Sequence, residues 1–210
     1  QLENKDINSI CLDTKNNLWL GTNGSGLIRY NDKNKDFTVF RADKNNANAI
    51  SSDIIISSLE DKNGDMWFGS FMGGLNRLRN NTFTHYLPEV NNKNAINNKS
   101  VYDLTEDDDG NLWFATLGGG VNRLDASRQN FMAMNQANCP GLSSNYVVSM
   151  FAKSSQYIYL STSLGIDVLN TTTASISPVF KDKNLIDKLS DVKMIHALVD
   201  KRNQLWMATD

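Results

Sequence analysis

The sequence predicts an all-β fold of repeated four-stranded blades, a β-propeller, and three observations lead to this prediction. The first is the regular spacing of a short aromatic phrase, which reads NNLWLGT, GDMWFGS, GNLWFAT, QYIYLST and NQLWMAT in its five copies. The rings of these copies are Trp19, Trp67, Trp113, Tyr159 and Trp206, so successive copies lie 48, 46, 46 and 47 residues apart. A period of about 40 to 50 residues is typical of repeats that each fold as a small sheet.

The second observation is that each repeat divides into four short apolar segments separated by turn sequences. The first segment begins 12 residues before the ring in every copy, at Ile7, Ile55, Val101, Val147 and Met194. A polar turn such as KNGD precedes the ring strand, and a glycine-rich turn such as FMGG precedes the third strand. Asn-Gly and Asp-Gly turns between apolar runs are strong hairpin signals. The fourth segments are FTVF, FTHY, FMAM and SPVF.

The third observation is the lack of apolar periodicity at 3.6 residues, which argues against helices. We therefore divide residues 1–210 into repeats at about 7–53, 54–100, 101–146 and 147–193, with an incomplete repeat at 194–210. This gives four full blades and half of a fifth, which does not close a ring. We expect the chain to be a segment of a larger propeller whose exposed blade faces self-associate.

Composition limits the function classes. The net charge of −2 argues against a nucleic-acid surface, which is usually strongly basic. No run approaches the roughly 18 apolar residues of a membrane span, so a membrane would be reached only through a helix elsewhere in the protein. The two cysteines fall in the first and third repeats, at Cys11 and Cys139, and we do not expect them to form a disulfide.

Two columns of charged residues recur in the repeats. The first hairpin carries Asp13, Asp61, Asp107 and Asp200, with Lys153 in the fourth copy. Aspartate stabilises turns by bonding to its own backbone, so we interpret this column as structural rather than as a metal site. The third strand carries Arg29, Arg77 and Arg123, with Val168 in the fourth copy. These arginines either pair with the Asp column or cap backbone carbonyls, or they form a ring that reads an anionic ligand.

Catalytic signals are weak. The histidines are His85 and His196, and His196 shares a first-strand column with Ser9, Ser57, Asp103 and Ser149. No local motif supports a Ser–His–Asp triad, and no acidic pair stands apart from the repeat pattern as a glycosidase would require. The glycine runs lack the Lys-Ser or Lys-Thr of a phosphate loop. We expect neither a cofactor nor a metal.

The repeated phrase resembles a known family. Its elements are an apolar first strand, D-x-x-G-x-L-W-x-G-T and G-G-L-x-R, as in VYDLTEDDDGNLWFATLGGGVNRL. It is preceded by an Asn-rich loop that ends in Ser-Ser, as in ISSDIIISSLEDKNGDMWFGS and LSSNYVVSM. This pattern is similar to the regulator-propeller repeat of hybrid two-component sensor kinases, over nearly all of residues 7–210. The fourth repeat departs most, with Tyr159, Lys153, Leu164 and Val168 at the family positions.

The resemblance implies a sensor module that is not itself catalytic. Family members carry seven-bladed propellers in the periplasm, followed by a dimerising β-sandwich, a membrane helix, a histidine kinase, a receiver and a DNA-binding domain. They sense oligosaccharides and regulate genes for glycan uptake and breakdown.

Ligand residues are expected where loops break the repeat, because loops carry specificity. The turn after the ring strand offers Asn23, Phe71, Met72 and Leu117, and Phe71 could stack on a sugar ring. The return loops between blades offer Arg41, Asp43, Lys44, Glu89, Asn91, Lys93 and Asn138. Two alternatives remain open, a propeller fragment of a glycan-active enzyme and a protein-interaction scaffold.

Overall fold

The computed structural model describes residues 6–154, 156–180, 194–200, 202 and 204–209. The regular elements of these described residues are all β-strands, and there are 18 of them. They are β1 (Ile7–Leu12), β2 (Asn17–Thr22), β3 (Leu27–Asn31), β4 (Asp36–Phe40), β5 (Ile55–Glu60), β6 (Met66–Ser70), β7 (Leu75–Arg79), β8 (Thr82–Tyr86), β9 (Val101–Glu106), β10 (Leu112–Thr116), β11 (Gly120–Leu124), β12 (Phe131–Met134), β13 (Val147–Ala152), β14 (Tyr157–Thr162), β15 (Gly165–Asn170), β16 (Ser175–Pro178), β17 (Met194–Val199) and β18 (Leu205–Thr209).

The strands form four antiparallel sheets of four and one pair. Their orders are β1-β2-β3-β4, β5-β6-β7-β8, β9-β10-β11-β12 and β13-β14-β15-β16, followed by β17-β18. The prediction of four full blades and half of a fifth is thereby confirmed. One strand was misplaced by the sequence pattern. The fourth strand of the fourth blade is Ser175–Pro178, two residues before the expected SPVF, because Asp167 pairs with Pro178 rather than with a later residue.

The chain separates into two compact units between Leu104 and Thr105. In the first unit, blade one packs on blade two through aromatic rings. The ring centroids of Trp19 and Phe68 are 5.4 Å apart, and those of Phe40 and Phe83 are 5.6 Å apart. Leu27 and Ile55 complete the buried cluster between these sheets.

The second unit has its own buried core. Trp113 and Val121 of blade three pack with Leu160 and Leu169 of blade four. Large apolar side chains between two sheets give the main stabilisation of such stacked repeats, since neither sheet can bury its faces alone.

The glycine-rich turns are fastened in the same way in each unit. In the four complete blades, the hydroxyl at the end of the ring strand donates to the carbonyl of the glycine that opens or precedes the third strand, as from Ser70 to Gly74 at 2.8 Å. Gly74 has a φ of 72°, and a Cβ there would lie 2.3 Å from the carbonyl oxygen of Tyr86. Only glycine satisfies both the turn and the close approach of the fourth strand.

A buried polar residue in the third strand holds the return loop that precedes blade two and the one that precedes blade four. The Asn76 side chain accepts a hydrogen bond from the Ser51 backbone N–H at 3.0 Å. In blade four, Asp167 takes this place and accepts from the backbone N–H of Ser143 at 2.8 Å and from its hydroxyl at 2.6 Å. Asn76 and Asp167 are both fully buried. These anchors fix where the return loops lie against the sheet.

Candidate functional site

Each ring of the repeat is tied to the Asp column. The indole N–H donates to the Asp carboxylate six residues earlier, at 2.8 Å in the first three copies and 3.0 Å in the fifth. The pairs are Trp19–Asp13, Trp67–Asp61, Trp113–Asp107 and Trp206–Asp200. The same carboxylates accept backbone N–H groups of their own turns, as Asp61 does from Asn63 and Asp65. These hydrogen bonds agree with the structural interpretation of the column, and they show that each carboxylate also holds the indole of its ring strand.

The Arg column lies over the same rings. Each arginine is the cross-strand partner of its Trp. The guanidinium carbon lies 5.7 Å from the ring centroid for Arg29, 5.4 Å for Arg77 and 5.7 Å for Arg123. This is the geometry of a cation–π contact. Arg77 also donates to Asp65, so the column stacks on the Trp rings instead of pairing with the Asp column.

The fourth repeat replaces this cluster with a simpler pair. Lys153 stands at the Asp position, and its Nζ lies 5.8 Å from the centroid of the Tyr159 ring. Val168 takes the arginine position opposite Tyr159. One cation thus remains near the ring, although it now comes from the first hairpin rather than from the third strand.

Electrostatics agree with the hydrogen bonding of the Asp column. Burial alone would raise the pKa of Asp13, but hydrogen bonds from Trp19, Asn17 and Lys15 outweigh it and hold the pKa below its usual value. In Asp200, bonds from the Gln204 backbone and the Trp206 indole also lower the pKa. These aspartates are therefore ionised acceptors that organise a turn, and they are not poised as acids.

The two ends of each blade differ in what they present. The Asp turns and the turns between third and fourth strands lie at one end, which we call the Asp-turn end. The glycine turns and the return loops lie at the other, which we call the return-loop end. In the first unit, an open cleft of about 440 Å³ lies at the return-loop end. Its lining residues are Asn8, Asn23, Ile54, Ile56, Phe71 and Tyr102.

This cleft combines two aromatic rings with two amides. Phe71 is 38% exposed, and Tyr102 is half-buried. Asn23 forms a bridge with Ile54, and the Phe71 backbone N–H donates to the Ile54 carbonyl at 3.0 Å, so the two glycine turns meet over one strand. The structure therefore brings together two of the residues selected from the sequence, Asn23 and Phe71. It adds Asn8, Ile56 and Tyr102, which the sequence interpretation missed.

The other selected turn residues lie elsewhere. Met72 follows Phe71 with a φ of 59° and is 62% exposed, and it does not line the cleft. Leu117 belongs to the second unit, where it forms a bridge with Tyr146. Arg41, which was selected from a return loop, donates to the Gly24 carbonyl at 2.9 Å and so braces a glycine turn.

The selected return-loop residues are all exposed, and none of them lines the cleft. Lys44 and Lys93 lie in separate loops, after blade one and blade two. Asp43 accepts from the Asn45 backbone at 2.9 Å, and Glu89 accepts from the Asn92 side chain at 2.8 Å. In addition, Asn91 has a φ of 64°, and Asn138 donates to the Ala133 carbonyl at 2.8 Å.

A second cleft of the first unit lies at the Asp-turn end and has about 390 Å³. Its wall includes three acidic residues and three basic residues, which are Asp13, Glu60, Asp65, Lys15, Arg29 and Arg79. Glu60 accepts two bonds from Thr14, and Asp65 is bonded to Arg77. Because its acids and bases offset one another, this cleft offers no clear selectivity for an ionic ligand.

Two further sequence features can be placed. The Ser149 hydroxyl contacts Nδ1 of His196 at 2.5 Å, joining blades four and five. Ser149 is buried while His196 is exposed, and no carboxylate among the described residues is hydrogen-bonded to this imidazole. Cys11 and Cys139 are both free thiols. Cys11 is half-buried against the first core, and Cys139 is buried in the second.

The repeated sheets and their Asp–Trp clusters define a β-propeller repeat protein, and comparison with known proteins gives the family. The two-component regulator propeller family matches residues 1–24, 49–72 and 95–118. These three segments match the two-component regulator propeller repeat, and each ends within or just after the turn that follows a Trp strand. No curated protein matches the chain in sequence.

Solved structures share the fold. The extracellular domain of BT3049 from B. thetaiotaomicron, assigned to the hybrid two component systems, superposes with a TM-score of 0.81 at 18% identity. The alignment covers 97% of this chain and 27% of that one. The extracellular domain of BT4673 from the same bacterium gives a TM-score of 0.79 at 24% identity, over 98% of this chain and 29% of that one. The chain thus spans less than a third of the length of these structures.

A glycoside hydrolase is also among the similar structures. The GH74 enzyme of Niastella koreensis superposes with a TM-score of 0.66 at 15% identity, over 98% of this chain and 33% of that one. Likeness at this level of identity shows the fold alone.

In the part of the chain that the structure describes, no helix is both long and apolar enough to cross a membrane.

Proposed function

We propose that the chain is a ligand-sensing module of a hybrid two-component sensor kinase, held in the periplasm. It recognises an oligosaccharide, and the signal switches genes for polysaccharide use. The regulator-propeller repeats and the likeness to extracellular domains of two-component systems support the sensor part. The kinase, the membrane helix and the dimerising domain belong to the proposed parent protein.

The cleft at the return-loop end is the observation that carries the ligand assignment. Its Phe71 and Tyr102 rings offer apolar faces, and the C–H face of a pyranose stacks well on such a ring. The Asn8 and Asn23 amides supply both donors and acceptors for hydroxyl groups. Aromatic surface with a few placed polar groups is typical of small-molecule sites.

The same cleft argues against the enzyme alternative. Glycoside hydrolysis needs two carboxyl groups on either side of the scissile bond. None of the described residues lining the cleft is acidic. The arrangement therefore favours binding without turnover, and the likeness to the GH74 enzyme is one of fold.

The test is a binding screen on the purified chain with defined oligosaccharides, read by calorimetry and by product analysis. The key variant is Phe71→Ala. Its matched control is Phe37→Ala, because Phe37 has the same exposed fraction, 38%, and lies away from the cleft on β4. We expect about a 10-fold loss of affinity for Phe71→Ala, little change for Phe37→Ala and no products. Equal effects of the two variants would overturn the assignment of the cleft.

A further inference from the structure

The first strands of four repeats share an irregularity that regular pleating does not explain. In β1, β5, β13 and β17, the pairing with the ring strand shifts between the first and third residues, as between Ile7 and Ser9. The second residue is therefore a β-bulge with no partner across the hairpin. A bulge turns its side chain away from the alternation of the strand and is common beside binding sites.

The second residues of all five first strands form one column of the repeat, which we call the bulge column after the shift seen in β1, β5, β13 and β17. Its members are Asn8, Ile56, Tyr102, Val148 and Ile195. In the first unit, all three members of the column line the cleft at the return-loop end. They supply half of its lining residues, although they come from three different repeats.

The bulge column differs in chemistry from the columns on either side. The preceding residues are apolar, and Ile55, Val101 and Val147 among them are fully buried. The bulge column itself contains an amide, branched aliphatic residues and a phenol, and its described members are exposed or half-buried, as Asn8 and Val148 are. The fold therefore needs an apolar residue before the bulge but accepts any side chain at the bulge.

We propose that the bulge column determines ligand specificity in this propeller: Asn8, Ile56 and Tyr102 select the sugar, while the strands that carry them stay unchanged. This inference rests on the proposed function and adds to it the residues that discriminate among glycans. Tyr102 stacks on a ring face, Ile56 contacts apolar edges, and Asn8 bonds hydroxyl groups. The Asn8 amide is already oriented, since its Nδ2 donates to the Ile55 carbonyl at 3.0 Å.

The experiment exchanges residues between copies of the repeat. Tyr102→Ile gives blade three the bulge residue of blade two, and Ile56→Asn gives blade two that of blade one. The probes are maltohexaose, cellohexaose, mannohexaose, xylohexaose and trigalacturonic acid, titrated by calorimetry. Tyr157→Ile is the binding control, because Tyr157 is 39% exposed and pairs regularly with Asn170 in the second unit. Val101→Ala is the stability control, because this neighbour of Tyr102 is buried.

We expect the two exchanges to change the ratio of affinities for the two best-bound probes by about 3- to 10-fold. Their melting temperatures should stay near that of the wild type, whereas Val101→Ala lowers it. Unchanged ratios together with a loss of affinity in Phe71→Ala would overturn the bulge column but leave the binding cleft standing. Binding of no probe by the wild type would overturn both proposals.

Discussion

The indole N–H of Trp67 donates to the carboxylate of Asp61 across the first hairpin of blade two, at 2.8 Å. Both side chains are buried, and Asp61 also accepts the backbone N–H groups of Asn63 and Asp65. One carboxylate thus joins the turn to the buried ring of the strand that follows it. The same bond explains a regularity of the sequence, because Asp and Trp stand six residues apart in four of the five copies.

Replacing Asp61 by alanine should lower the free energy of unfolding by about 3 kcal/mol. The change leaves a buried indole N–H and two turn N–H groups without their acceptor. Urea unfolding measures the effect, with Asp36→Ala as the control, because Asp36 is exposed at the start of β4. A loss in Asp61→Ala no greater than that in the control would show that the bond does not stabilise the hairpin.

The Asp column also predicts a dependence of stability on pH. The pKa of Asp13 in the folded chain lies below its unfolded value of about 3.9. The ionised Asp13 therefore stabilises the fold above about pH 3.9, and this stabilisation is lost as the pH falls through the folded pKa. The difference in melting temperature between the wild type and Asp13→Asn should therefore shrink between pH 5 and pH 2.5. A constant difference over this range would contradict the assignment.

The buried Asp167 predicts the opposite dependence. Burial raises the pKa of Asp167, so its ionised form destabilises the fold. This destabilisation is absent below the unfolded pKa of about 4 and increases as the pH rises toward the folded pKa. Asp167→Asn, which reproduces Asn76 of blade two, should be more stable than the wild type at pH 7 and lose that advantage at pH 4. Thermal melts at the two pH values test this, and a less stable variant at pH 7 would refute it.

Much of this architecture could be predicted from the sequence, because the strands and turns of each blade follow from residue patterns within one repeat. The 12-residue offset from Ile55 to Trp67 fixed the first hairpin, and Asp61 was recognised as structural. The stacking of Arg77 on Trp67 was missed, because it joins two strands whose register the pattern does not give. The contribution of Asn8 to the cleft was missed because the bulge at Asn8 is a backbone irregularity that alternation of residue types does not reveal.

The glycine turns give a separate test of backbone geometry. Gly74→Ala should cost more than about 1 kcal/mol, because the φ is positive and the new Cβ meets the Tyr86 carbonyl. Gly24→Ala is the control, since Gly24 also has a positive φ but has no atom within 4 Å of the added Cβ. Chemical unfolding of both variants isolates the cost of the clash. Equal losses of unfolding free energy in the two variants would show that the fourth strand moves away from the added Cβ at no cost.

The outer face of blade one predicts self-association. Ile10 is 68% exposed and Val39 is 50% exposed, at the two edges of a face whose central residues, Leu20 and Ile28, are buried. The equivalent face of blade two is covered by Trp19. The double variant Ile10→Asn with Val39→Thr should shift the chain toward monomer in sedimentation velocity.

The control for this prediction is Val90→Thr, because Val90 is 93% exposed in a return loop and lies outside that face. It should leave the sedimentation profile of the wild type unchanged. A wild-type chain that is monomeric at every concentration would contradict the prediction.

A crystal structure of the chain with the best-binding oligosaccharide of the screen tests the binding cleft directly. We expect a sugar ring stacked on Phe71 or Tyr102, with hydroxyl groups within hydrogen-bond distance of Asn8 or Asn23. A sugar bound only at the Asp-turn end, among Asp13, Glu60 and Arg79, would contradict this expectation.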